Sequence, residues 1–114
     1  MKKADLFNEL VATYQKHGWV LRGALLQSQT RAELSSAPLD SLESGHLKES
    51  TIDALWFSRP SHRNREAWEL RLLAETQYAL FETFEADETE AQREEVRLEM
   101  EARLRDYVEG GGKR

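Results

Sequence analysis

The chain predicts an α+β fold: an N-terminal helix, a mainly antiparallel sheet of about four strands, and a long C-terminal helix packed on the sheet. The changing period of its apolar residues carries that reading over 114 residues. They recur every three to four positions near the start, alternate with period two over residues 51–86, and return to helical spacing after Glu90. Pro and Gly fall between these blocks, where elements should end.

Residues 4–17 read as the first helix. Leu6, Leu10 and Tyr14 recur by four, with Phe7 and Val11 on the same flank. Gly18 stands where a left-handed cap ends a helix. Residues 19–27 then read as a strand in which Gly23 marks a bulge or a close backbone approach, with a helix over 21–27 as the competing pattern. In the segment 28–50, Thr30-Arg31-Ala32-Glu33 has the form of a capping box, predicting a turn or two of helix to about Ser36, ended by Pro38. Residues 39–42 fit another short turn closed by Gly45. The whole segment is expected to be a partly ordered crossover that lays Leu34, Leu39 and Leu42 on the core.

Residues 52–58 and 67–73 are rich in aromatic and branched side chains and flank a polar loop, which predicts a hairpin. Folding it about His62 sets Trp56 opposite Trp68, Ala54 opposite Leu70 and Ile52 opposite Leu72, all on one face. Asp53 then lies across from Arg71 on the other face, and a one-residue slip would mix the two faces. Residues 78–85 form the next strand after Glu75-Thr76-Gln77, a connection without the Gly or Asn of a tight turn, so its register stays open. Leu55, Phe57 and Leu73 lie opposite the Trp56/Trp68 face. Two helices of this size are expected to cover one sheet face and leave the other for a second copy, which predicts a homodimer.

Asp87-Glu88-Thr89-Glu90 supplies an N-cap and first-turn carboxylates for the last helix. Val96, Met100, Leu104, Tyr107 and Val108 form its apolar stripe. Glu99 with Arg103, and Glu101 with Arg105, have the spacing of surface ion pairs. Three glycines from Gly110 end it. The division expected is one domain over residues 1–109 and a disordered tail over 110–114.

Composition bounds function. The chain is 39% hydrophobic and 32% charged, and no apolar run approaches the ~20 residues of a membrane-spanning helix. The basic first residues are followed by an acidic, amphipathic stretch and not by the apolar block of a signal peptide, so the cytoplasm is the default expectation. The sequence contains no cysteine, which excludes disulfides, thiolate metal sites and a cysteine nucleophile. Net charge is −5, with the acidic excess lying beyond residue 65. That argues against general nucleic-acid binding.

The best site candidate is the hairpin loop, with Arg59, His62, Arg63, Arg65 and the neighbouring Trp56. Arginine forks grip phosphate or carboxylate, and an indole stacks a base. A solvated hairpin tip explains the same residues. His17, His46 and His62 lack metal-ligand spacing. No Gly-x-Ser-x-Gly elbow or phosphate-binding glycine loop occurs, and the carboxylates over 82–90 read as a solvated helix start. No catalytic residue, metal or cofactor is assigned. The expectation is a non-enzymatic binding or interaction module, acting through a protein partner or by self-association. RNA or nucleotide binding by the arginine loop is one alternative, and a small enzyme without a recognisable motif is another.

Overall fold

A computed structural model describes residues 2–34, 37–40, 42 and 46–110. In chain order these form α1 (Lys3–Lys16), β1 (Val20–Leu26), α2 (Ser28–Glu33), α3 (Ala37–Asp40), β2 (Leu47–Glu49), β3 (Ala54–Pro60), β4 (Glu66–Leu72), β5 (Ala79–Phe84) and α4 (Glu90–Glu109). The strands make one sheet in the order β2-β1-β3-β4-β5. β1 and β2 run parallel, and every other neighbouring pair is antiparallel. The α+β class and both long helices are as expected. The sheet, however, is mixed and has five strands, because residues 47–49 of the crossover pair with Ala24–Leu26. Three residues are too few to show a strand period.

Each junction has a local cause. α1 leaves through Gly18 at φ +87°, with Trp19 N–H donating to Tyr14 O and Gly18 N–H to Gln15 O, both at 3.0 Å. This paired bonding is the glycine cap predicted there. The Tyr14 and Trp19 rings meet edge-on at 6.0 Å across this junction. Gly23 answers both expectations: the β1–β3 pairing shifts between Leu21 and Gly23, and a Cβ at Gly23 would lie 2.8 Å from the His46 carbonyl oxygen. At α4, Thr89 and Gln92 form a reciprocal capping box, and Gly110 caps the end.

The capping box expected at Thr30 does not form. α2 starts earlier, with Gln27 at its N-cap, so Thr30 sits inside the helix and donates to Asp53 Oδ2 at 2.7 Å. Asp53 Oδ1 accepts the Gln27 amide at 2.8 Å. A carboxylate from the residue just before β3 thus caps α2, displacing the local motif. Pro38 lies within α3 and does not follow the end of a helix. Leu34 and Leu39 are buried and Leu42 packs against them, as the crossover reading required. The helix expected to reach about Ser36 ends at Glu33, with Leu34 already extended; the closure at Gly45 and residues 111–114 of the expected tail lie outside the described residues.

The hairpin register differs from the expected one by two residues. Trp56 pairs with Leu70, Ser58 with Trp68 and Leu55 with Arg71. The loop is Ser61–Arg65, closed by Ser61 N–H to Arg65 O at 2.8 Å. Arg63 and Asn64 take positive φ of 58° and 63°, which tightens the turn and moves its centre. A shift of two keeps every side chain on its face, so Trp56 and Trp68 become diagonal neighbours, edge-on at 5.9 Å. Asp53 therefore does not face Arg71. Arg71 is buried and donates to Leu72 O at 2.7 Å and Thr76 O at 2.9 Å, clamping the β4–β5 connection that has no glycine.

Both sheet faces are covered within one chain. α1 and the crossover bury Leu6, Phe7, Val11, Leu34 and Leu39 against Leu55, Phe57 and Leu73. α4 buries Met100 and Leu104 against Leu25, Ile52, Ala54, Trp56 and Leu70. The premise of an open second face is corrected: the crossover adds enough apolar cover to α1 that Leu55, Phe57 and Leu73 are 0% exposed. Among the described residues no helix is long and apolar enough to cross a membrane.

Candidate functional site

The structure disperses the predicted loop site. Arg59 lies 4.7 Å over the Trp19 ring and donates to His17 O at 2.9 Å. Arg65 pairs with Glu85 at 3.0 Å. These two share a shallow recess of about 260 Å³ with Arg22 and Ser58. His62 and Arg63 are exposed at the tip. Trp56 is not part of this group: it is 5% exposed, faces α4, and donates its Nε1–H to Glu101 at 2.8 Å. Two arginines are brought together, and the stacking partner is taken elsewhere.

A larger cleft of about 370 Å³ opens between α4 and the β1 bulge. Its walls come from α4, which turns more than its apolar stripe inward. Arg97 and Glu101 are buried beside Met100 and Leu104, so Glu101 does not serve the expected surface pair with Arg105. It accepts instead from Trp56 and from Lys48 Nζ at 3.1 Å. Arg97 stacks 4.6 Å over Trp68 and pairs with Glu90 and Glu94. Arg93 Nη1 donates to Glu66 at 2.8 Å and Nη2 to Glu85 O at 2.7 Å. Glu66 also accepts Trp68 Nε1–H at 3.2 Å. Arg22, whose Nε donates to Ser58 Oγ at 2.8 Å, completes the rim with His46.

The opposite face carries a perturbed phenol. Tyr14 stacks on Phe57 at 4.1 Å and donates to Glu69. Burial, then the hydrogen bond and charge of Glu69, push its pKa far above the ordinary tyrosine range. Such a group holds its proton and does not act as a base. Among the described residues no three His, Asp or Glu side chains converge as a metal would require.

The third feature is the β5 edge. Leu72 N–H bonds Tyr78 O at 3.0 Å, which sets the alternation of the ladder. Leu80, Glu82 and Phe84 turn their backbone groups to β4, while Ala79, Phe81 and Thr83 turn theirs outward. Glu82 Oε1 accepts the Thr83 amide at 3.1 Å. No strand lies beyond β5 among the described residues. Phe81 is 56% exposed and touches Trp19 edge-on at 6.4 Å. From residue 72 to 92 the chain holds Glu75, Glu82, Glu85, Asp87, Glu88 and Glu90 and no Lys or Arg.

No family model, no curated protein and no solved structure matches the chain. In the sequence the acidic run reads as a solvated helix start, and nothing there ties it to a strand edge. The cleft residues are scattered from Arg22 to Glu101, and Gly23 alone signalled that two backbones meet there.

Proposed function

We propose that the protein is a non-enzymatic interaction module that takes an extended, basic segment of a partner protein as an added strand on β5. One observation carries this reading: the outward edge of β5 offers backbone groups and an exposed Phe81, and residues 72–92 themselves hold no Lys or Arg. Sheet edges are usually guarded by lysine, proline or a covering element, because they template pairing with another chain. Added strands gain their affinity from backbone bonds and their specificity from alternate side chains. Acidic flanks favour a basic segment and oppose pairing of β5 with its own copy, since like charges on adjacent strands repel. The cleft gives no support to the enzyme alternative, because its carboxylates are all engaged in ion pairs or hydrogen bonds.

The test uses a blocked peptide alternating lysine and valine, titrated into the ¹⁵N-labelled chain. Saturable shifts at the Ala79 and Phe81 amides, with slowed hydrogen exchange there, are the expected result. Phe81→Lys should abolish them, and a glutamate–valine peptide should not bind. Shifts confined to another surface, or no saturable change, overturn the reading. A dimer through β5 in sedimentation velocity would replace the partner with a second copy.

A further inference from the structure

We infer that the cleft between α4 and the β1 bulge binds a small organic anion, a carboxylate or phosphate carried on an apolar body. The site lies on the other side of the sheet from Phe81 and does not depend on strand addition.

The pairing of polar groups in the cleft walls sets the sign of the ligand. Its inner carboxylates are engaged, Glu66 by Arg93 and Trp68 and Glu101 by Lys48 and Trp56, while the largely exposed Glu90 and Glu94 share Arg97. Its donors are less fully engaged. Arg22 uses Nε on Ser58 Oγ and pairs with no carboxylate among the described residues. Arg93 Nε is shielded from solvent and meets no acceptor. Lys48 has two further protons beyond the one directed at Glu101. His46 is exposed on the same rim. An arriving cation finds Glu66 and Glu101 already compensated, whereas an arriving oxyanion finds open donors in Arg22 and Lys48.

Shape agrees with charge. An arginine anchored at Nε presents its two Nη groups as a fixed fork, suited to carboxylate or phosphate. The bulge brings Arg22 onto the rim above Gly23, and the bare Cα of Gly23 lets the His46 backbone approach, which carries His46 and Lys48 to the same side. Trp56 and Trp68, with ring planes 72° apart, both line the cleft; Trp56 is 5% exposed, so the half-buried Trp68 supplies most of the apolar contact for the body of the ligand. The volume of about 370 Å³ is that of a small-molecule site.

The experiment titrates the ¹⁵N-labelled chain with phenyl phosphate, phenylacetate, inorganic phosphate and phenyltrimethylammonium, following the indole N–H signals of Trp56 and Trp68. At least one aryl anion should shift both signals saturably, and the tighter of the two identifies the headgroup. Arg22→Gln should weaken that binding by roughly tenfold or more, the usual weight of one charged hydrogen bond. Lys48→Gln serves as an independent variant should Arg22→Gln fail to fold. Silence from both aryl anions, an equal response to the ammonium compound, or affinity unchanged in the folded variants overturns the inference. Inorganic phosphate binding as tightly as the aryl anions overturns the apolar half of it.

Discussion

Replacing Asp53 by alanine tests how the crossover is tied to the sheet. Asp53 is 3% exposed, yet its carboxylate gathers the Gln27 amide at 2.8 Å, Gln27 Nε2 at 3.1 Å, the Thr30 hydroxyl at 2.7 Å and Lys3 Nζ at 3.3 Å. In Asp53→Ala the Gln27 side chain and Lys3 regain water, because both residues retain access to solvent. Thr30 is 5% exposed, and its hydroxyl cannot. The Gln27 amide loses the cap of α2. Each donor stranded in this way costs about 1–3 kcal/mol, so the substitution should remove about 3 kcal/mol. That is a large share of the ~5–15 kcal/mol of a typical domain. Urea denaturation followed by far-ultraviolet circular dichroism, extrapolated linearly to water, measures it. Combining Asp53→Ala with Thr30→Val should cost less than the two singles added, by about 1 kcal/mol, because each removes the same contact. A loss under about 1 kcal/mol, or a strictly additive cycle, would refute the claim that this carboxylate holds α2 to the sheet.

Trp56→Ala should cost about 3–5 kcal/mol and the half-buried Trp68→Ala less, with the double variant below their sum; Arg63→Ala should stay within about 0.5 kcal/mol, all by the same denaturation assay. Gly23→Ala drives a methyl into a backbone oxygen that cannot swing aside, and should cost about 1–3 kcal/mol while weakening hydrogen-exchange protection where β1 meets β2. Tyr14 keeps its proton in the fold above the pH at which an unfolded tyrosine, with a pKa of about 10, releases it. The folded state then binds more protons than the unfolded one. Stability must therefore fall as pH rises beyond that point, and Tyr14→Phe should flatten the alkaline limb of the pH–stability curve.

What was legible in the sequence was local. Leu6, Phe7 and Val11 declared the buried side of α1, Gly18 its cap, Gly23 the close approach, and Thr89 the start of α4, because each signal is complete within a few residues. The hairpin register was not legible, since a shift of two leaves Trp56 and Trp68 on the same face and hydrophobic patterning cannot tell the two pairings apart. The left-handed Arg63 decides between them, and arginine does not advertise that conformation. Asp53 misled for the opposite reason: a plausible cross-strand partner was available in Arg71, while its real partners come from α1, Gln27 and α2. The cleft has the same character. Arg22, Lys48, Arg93 and Glu101 are unremarkable singly, and only the β1 bulge and the packing of α4 on the sheet make them neighbours.

The order of the elements has a consequence for how the molecule is made. β3, β4 and β5 follow one another directly, so their pairing closes short loops and can form early. α4 comes after every strand. Until it docks, Ile52, Ala54, Trp56 and Leu70 stand as a bare apolar sheet face, awaiting Met100 and Leu104. A ribosome adding roughly 5–20 residues per second leaves that face open for seconds, ample time for collision with other nascent chains. α4 is thus the element that closes the interval of greatest aggregation risk, and the strength of its Thr89–Gln92 cap helps to set how soon that interval ends.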